Sequence, residues 1–191
     1  MNIGLFFGSF NPIHIGHLAI ANYIIEFTES DRVWFVISPH NPLKDKATLL
    51  ADHHRYQMVH RAIEDDFRFK ASDIEFKLTQ PSYTVNTLAI LKEKYPEHNF
   101  SLIMGMDNLN TFHKWKNYKV ILEEHPIYVY PRAGVGNESK VESSKIKIVD
   151  APIMEISSSF IRQAIKSGKD IRYFLHPKVF EYIEEMRFYK K

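Results

Sequence analysis

The chain has 191 residues, 25 Lys+Arg against 23 Asp+Glu for a formal net charge of +2, and no cysteine. The length is enough for one core of ordinary size, the charge is too small for a nucleic-acid-binding surface, and the missing cysteines exclude disulfides, thiolate catalysis and Cys-ligated zinc. Residues 1–7 lack the basic flank and long apolar core of a signal peptide, and no apolar run is long enough to span a bilayer, so a cytoplasmic location without a membrane partner is expected.

Strand and helix patterns alternate along the chain. Ile3 to Phe7 is an apolar run closed by Gly8-Ser9 and predicts a buried strand. Ile15 to Phe27 sets Leu18, Ala21, Ile24 and Ile25 at helical spacing. Val33 to Ile37 is a second strand, stopped by the turn formers Ser38-Pro39-His40-Asn41-Pro42. Asp52 to Ile63 predicts a helix, Phe67 to Phe76 a loosely alternating strand, and Thr84 to Tyr95 a helix with Pro96 just past its end. Phe100 to Met104 is a strand halted at Gly105, Tyr118 to Glu124 a short helix, and Ile127 to Tyr130 a strand ending at Pro131. Ala133 to Lys145 is polar and predicts a loop, after which the alternation resumes. Ile146 to Val149 is a strand, Ser157 to Lys166 a helix, and Pro177 to Met186 a helix with its proline in the first turn. The order implies βαβ units in a single domain over residues 1–191. The class is α/β, with a Rossmann-like parallel sheet and helices on both faces. Ligands of such sheets bind beyond the carboxyl ends of the strands, so chemistry-bearing motifs should directly follow strands.

Gly8-Ser9-Phe10-Asn11-Pro12-Ile13-His14-Ile15-Gly16-His17 follows the first strand and opens the first helix. Gly8 allows close approach of backbone to a ligand, and two histidines three apart at a helix start face the same way. With the first-turn amides they form an anion site, to which protonated imidazoles would add charge. A bare pair of histidines is more often incidental, and zinc would need a third ligand that is not apparent nearby, so no resident metal is expected. The ten-residue string is far more specific. It resembles the G-x-F-[D/N]-P-x-H-x-G-H signature of the nucleotidylyltransferase superfamily. That resemblance implies that His14 and His17 contact the nucleotide's phosphates and stabilise the transition state, with Gly8, Ser9 and Phe10 in the ATP site. Asn11 stands where many members have Asp and is placed on the acceptor side.

Ile156-Ser157-Ser158-Ser159-Phe160-Ile161-Arg162 follows the last strand. Ser157 is a plausible N-cap, the neighbouring hydroxyls and amides suit phosphate oxygens, and a guanidinium one turn on can fork onto phosphate. Taken alone, a capped helix with a surface arginine is the commoner explanation. Paired with the first motif, the string resembles the I-S-S-T-x-I-R motif of adenylyltransferases, with Ser159 in place of Thr. The resemblance covers essentially the whole chain and places Ile156, Ser157, Ser158 and Arg162 in the ATP site, Arg162 with a catalytic role.

Weaker motifs bear on the acceptor. Ser38 to Lys44 looks like the P-x-x-P-x-K loop of nicotinate-nucleotide adenylyltransferases, with Lys44 reaching a phosphate. Pro81 to Leu88 resembles their S-Y-T-x-D-T-L segment, with Asn86 at the usual Asp position, and puts Ser82, Tyr83, Thr84 and Thr87 on the acceptor; its plain structural reading is a helix with Thr84 as N-cap. Gly105-Met106-Asp107-Asn108-Leu109 looks like G-x-D-x-L, with Gly105 and Asp107 near the ATP ribose. Phe112-His113-Lys114-Trp115 resembles F-x-x-W beside the pyridine, and Arg132 the strand-end arginine of the same family, on the acceptor side. Asp107 is the one acid expected near the ring. The resemblance thus implies transfer of the adenylyl group of ATP to nicotinate mononucleotide, with Mg²⁺ arriving with ATP and a homo-oligomer compatible. Nicotinamide-mononucleotide or phosphopantetheine adenylyltransferases share the chemistry. A non-catalytic nucleotide-binding module would have no need of the two histidines and Arg162. A dinucleotide-dependent oxidoreductase lacks its G-x-G-x-x-G.

Overall fold

Six apolar runs pair into one sheet. In the computed structural model, which describes residues 1–39 and 49–190, they are β1 (Asn2–Gly8), β2 (Arg32–Ile37), β3 (Phe69–Ser72), β4 (Asn99–Gly105), β5 (Ile127–Tyr130) and β6 (Ile146–Ile148). The spatial order is β3-β2-β1-β4-β5-β6, and every neighbouring pair is parallel. The order of strands reverses between β1 and β4, which is where such sheets bind ligands. The described α-helices are α1 (Ile15–Phe27), α2 (Asp52–Ile63), α3 (Thr84–Lys94), α4 (Met106–Thr111), α5 (Tyr118–Glu124), α6 (Ser158–Lys166) and α7 (Pro177–Met186).

Strand side chains alternate between two faces, and both faces of the central strands β1, β2, β4 and β5 are buried. Val33, Phe35 and Ile37 pack with Phe6 against α1, α2, α6 and α7, through Ile24, Val59, Ile161 and Val179 among others. Trp34 and Val36 pack with Ile3 and Leu5 against α3, α4 and α5, through Leu91, Leu109 and Ile121. Strands buried on both faces read as continuous apolar runs, which is why they stand out in the sequence.

Three local expectations are corrected. The run Phe67 to Phe76 holds a strand only over Phe69–Ser72 and then turns into a 3-10 helix over Ile74–Lys77. Asp66 draws the start aside by accepting from the Arg68 N–H at 2.9 Å, and the 3-10 turn buries Glu75. The α4 helix was not expected, since six residues are too few to show a period. Helix α3 is capped by extended Tyr83, with Thr84 already in its first turn and no side-chain cap. No helix among the described residues is long and apolar enough to cross a membrane.

Candidate active site

The loops after β1, β4, β5 and β6 carry the motifs, all at the carboxyl edge of the sheet. The turn after β1 is held from within. Phe10 has a left-handed backbone (φ 44°), and its ring folds back over Gly8, where an added Cβ would lie 2.8 Å from the ring. The absence of a Cβ at Gly8 thus seats the Phe10 ring. The Phe10 ring lies in the core, edge-on to Phe35 at 5.5 Å and to His17 at 5.1 Å, so its side chain does not face ATP. Ser9 contributes its carbonyl to this framework, accepting from Arg55 Nη1 at 2.7 Å.

His14 and His17 do face the same way. Their rings stack at 3.7 Å at the start of α1, where His14 is the N-cap. The His14 N–H donates to His17 Nδ1 at 3.3 Å, which makes Nδ1 an acceptor and sets the His17 ring proton on Nε2. Gly16 makes room for the His14 ring: a Cβ there would stand 3.1 Å from His14 Nδ1. His14 is only 5% exposed, and its Nδ1 is buried without a hydrogen-bond partner among the described residues. Burial, aided by the Arg132 charge, holds its pKa down to about 4. The expected protonated pair is thus corrected at His14, which is neutral at pH 7.

The second motif docks directly on the first. Ser157 caps α6 as expected, accepting from the Phe160 N–H at 3.1 Å. The Ser158 hydroxyl donates to the Pro12 carbonyl at 2.9 Å. Arg162 donates from Nη1 to the Asn11 carbonyl at 2.8 Å and from Nη2 to Ser159 Oγ at 3.3 Å. Each serine hydroxyl makes one bond within the protein, and those of Ser157 and Ser159 can still donate, so phosphate here would meet them, the first-turn amides of α6 and the rest of the Arg162 fork. Ile156 packs against the core beside them. Asn11 is 2% exposed, and its Oδ1 accepts from Tyr189 at 2.8 Å and from the Leu50 N–H at 3.4 Å. Through Oδ1 it braces the turn.

Asp107 follows Gly105 at the end of β4 and lies 3.6 Å from Arg132 Nε. A Cβ on Gly105 would collide with both, at 2.5 Å from Asp107 Oδ1 and 2.7 Å from Arg132 Cδ. The contact shows how closely the two side chains pass over the end of β4. Arg132 therefore stands with Asp107, and its charge bears on His14. On the acceptor side, the Lys116 ammonium lies over the Tyr83 ring at 4.3 Å and joins the Ser82–Thr87 segment to the one around half-buried Trp115, whose ring meets Phe112 at 5.4 Å. Thr84 lies in the first turn of α3. Thr87 is fully buried and donates its hydroxyl to Glu75 Oε1 at 2.7 Å, so it acts through Glu75, not on a ligand. Lys44 lies outside the described residues.

Two buried ionisable residues beside the site were not singled out from the sequence. Glu75 is an acid beneath the acceptor segment, where only Asp107 was expected. Burial pushes its carboxyl up, while hydroxyls of Thr87, Ser38 and Ser82 pull it back. Arg55 is fully buried and donates to the carbonyls of Leu50, Ser9, Ser38 and Pro39 and to Asp52. It ties the ends of β1 and β2 together.

A parallel sheet reversed at β1/β4, a stacked histidine pair and an arginine helix docked on it thus meet at the carboxyl edge. A family model described as "Cytidylyltransferase-like" matches residues 5–164, and the chain belongs to that family. It is 62% identical over 193 residues, covering all of both chains, to a Flavobacterium johnsoniae protein named "Probable nicotinate-nucleotide adenylyltransferase". It is 58% identical over the same span to a Flavobacterium psychrophilum protein of that name, again covering all of both. Its fold matches a Plasmodium falciparum nicotinic acid mononucleotide adenylyltransferase complexed with NaAD, at a TM-score of 0.77 and 22% identity over 98% of this chain and 97% of that one.

Proposed function

We propose that the chain transfers the adenylyl group of ATP to nicotinate mononucleotide, forming the deamido dinucleotide and pyrophosphate. The observation that carries this reading is the contact between the two end motifs: Arg162 and Ser158 are bonded to the turn that presents a stacked histidine pair. The full-length relatives that bear this activity in their name support the acceptor.

A 5′-phosphate oxygen of the acceptor is already anionic and attacks the α-phosphorus. The new O–P bond forms as the bond to the β-phosphate oxygen breaks, and pyrophosphate leaves. No general base is needed. The task is to bring two anions together and to stabilise charge at the α-phosphorus, which positioning and fixed donors accomplish. His17 donates from Nε2 and neutral His14 from one ring nitrogen. Arg162 and the start of α6 hold the β/γ end, and Arg132 adds positive charge beside His14. Asp107 accepts from a ribose hydroxyl. Mg²⁺ arrives with ATP, held by phosphate oxygens and water, and neutralises charge on them. The described residues contain no group of three or more His, Asp or Glu side chains that would hold a metal. On the acceptor side, Glu75 is only 3% exposed and takes a bond from the Thr87 hydroxyl; the Ser82, Asn86 and Thr87 amides are bonded within the segment, which leaves the first-turn amides at the start of α3, Tyr83 to Val85, for the pyridine substituent.

A steady-state comparison with ATP and magnesium tests the reading. Nicotinate mononucleotide should exceed nicotinamide mononucleotide by at least about tenfold in kcat/KM, roughly 1.4 kcal/mol, because amide donors facing a carboxamide NH₂ are left unpaired. Phosphopantetheine should be inert. Orthophosphate or ADP as the stoichiometric product rules out adenylyl transfer, and equal kcat/KM for the two mononucleotides rules out the amide-lined pocket.

A further inference from the structure

The chain re-enters the site after α7. Arg187, with φ 55°, ends that helix in the left-handed region, and Tyr189 is left-handed as well, with φ 62°. Two such non-glycine residues in three are costly and persist only where the surroundings fix them. The surroundings do so here. The Phe188 ring lies 4.7 Å from His54 and 5.6 Å from Tyr182, and His54 Nδ1 and the Tyr182 hydroxyl are 2.9 Å apart. This seat directs Tyr189 to Asn11, 178 residues away in sequence, where its hydroxyl donates to Oδ1 at 2.8 Å. The Arg55 and Arg162 charges both bear on the phenol. The same Asn11 offers its carbonyl to Arg162, and the next residue, Pro12, offers its carbonyl to Ser158.

We propose that Tyr189 is a positioning residue for adenylyl transfer: its hydroxyl fixes Asn11, and through that turn the seating of Arg162 and the α6 start against the histidine pair. The phenol touches no reacting atom. Its effect is to hold the carbonyls of residues 11 and 12 where Arg162 and Ser158 meet them.

The inference rests on the adenylyl-transfer reading, so pyrophosphate release by the native chain is measured first; failure there falls on that reading alone. Tyr189→Phe removes one oxygen and keeps the ring. Its kcat, referred to the folded fraction measured by circular dichroism, should fall at least fivefold, with the KM values for ATP and acceptor within twofold. Asn11→Ala removes the other end of the bond and should also lower kcat. Adding Tyr189→Phe to Asn11→Ala should then change kcat by less than twofold. A native kcat in Tyr189→Phe overturns the proposal. So does a fall of the same size in both backgrounds, or one matched by rising KM values, since each marks a role that does not run through Asn11.

Discussion

Replacing Arg55 with Met should cost the protein much of its stability. The guanidinium satisfies four backbone carbonyls, those of Ser9, Ser38, Pro39 and Leu50, at 2.7–3.0 Å, and none of its surface reaches solvent. Met keeps a long apolar stem and removes every donor. Each stranded acceptor costs about 1 kcal/mol at the low end of the usual range, so the sum is roughly 4 kcal/mol. Asp52 adds little, because its side chain is 40% exposed and water replaces the lost partner. For a chain of this length 1 kcal/mol moves Tm by about 2–4 °C, which gives a fall of roughly 8–16 °C. Arg55→Lys should fall between native and Met, as one ammonium cannot reproduce the fork. Calorimetric melts of the three proteins without nucleotide decide it. A Met variant within 3 °C of native would mean that water reaches these carbonyls readily, and that Arg55 does not hold the ends of β1 and β2.

Three further outcomes are expected. His17→Ala should lower kcat by roughly a hundredfold while the KM for ATP changes much less, as for other transition-state donors; native kcat with a raised KM assigns the ring to ground-state binding. His14 binds its proton at about 4 in the native state and near 6.5 unfolded. The unfolded chain therefore takes the proton first, so stability is fully present above pH 6.5 and lost as pH falls toward 4, by roughly 3 kcal/mol. His14→Asn should be spared that loss in urea unfolding at pH 7 and pH 4, and equal acid losses in the two proteins would contradict the buried neutral ring. Glu75→Gln should raise the acceptor KM at least about fivefold with the ATP KM unchanged, since the carboxylate that takes the Thr87 hydroxyl lies under the acceptor segment; equal acceptor KM values would leave Glu75 a purely structural residue.

The central strands β1, β2, β4 and β5 were legible because they are buried on both faces, and the two end motifs because each follows a strand. Phe35 and Trp34 face opposite cores from adjacent positions, and the unbroken apolar run of β2 is the trace of that. The residues that organise the site were not legible. Arg55 sits in Asp52-His53-His54-Arg55-Tyr56-Gln57, which reads as a solvated helix face; only the folded chain reveals that four carbonyls converge on it. Glu75 falls in an alternating run, where an acid reads as a solvent-facing position. Tyr189 follows the last helix and carries no pattern at all. At Phe10 the motif does not reveal that the side chain is a core aromatic that holds the turn. Motifs mark where chemistry happens, but they do not separate a residue that touches the ligand from one that holds its neighbour.

The neutral state of His14 changes where the positive charge of the site must come from. A buried imidazolium beside Arg132 would pay desolvation and repulsion before any ligand arrived, and the structure avoids both by keeping the ring neutral. Among the described motif residues, full positive charge then comes from Arg132 and Arg162, each held at the mouth by a protein acceptor, Asp107 for one and the Asn11 carbonyl for the other. Those acceptors sit on turns whose shape is set from far along the chain: Ser158 and Arg162 reach back 146 and 151 residues to the first turn. No stretch of sequence contains the site, and neither end motif holds its geometry alone. The two strands at the switch point bring the loops near each other, and the bonds between side chain and backbone carbonyl then fix the angle at which arginine and histidines meet a phosphate. Substitutions in that second set should therefore lower turnover before they weaken binding, because a misaligned fork still attracts ATP but no longer matches the geometry of the transition state.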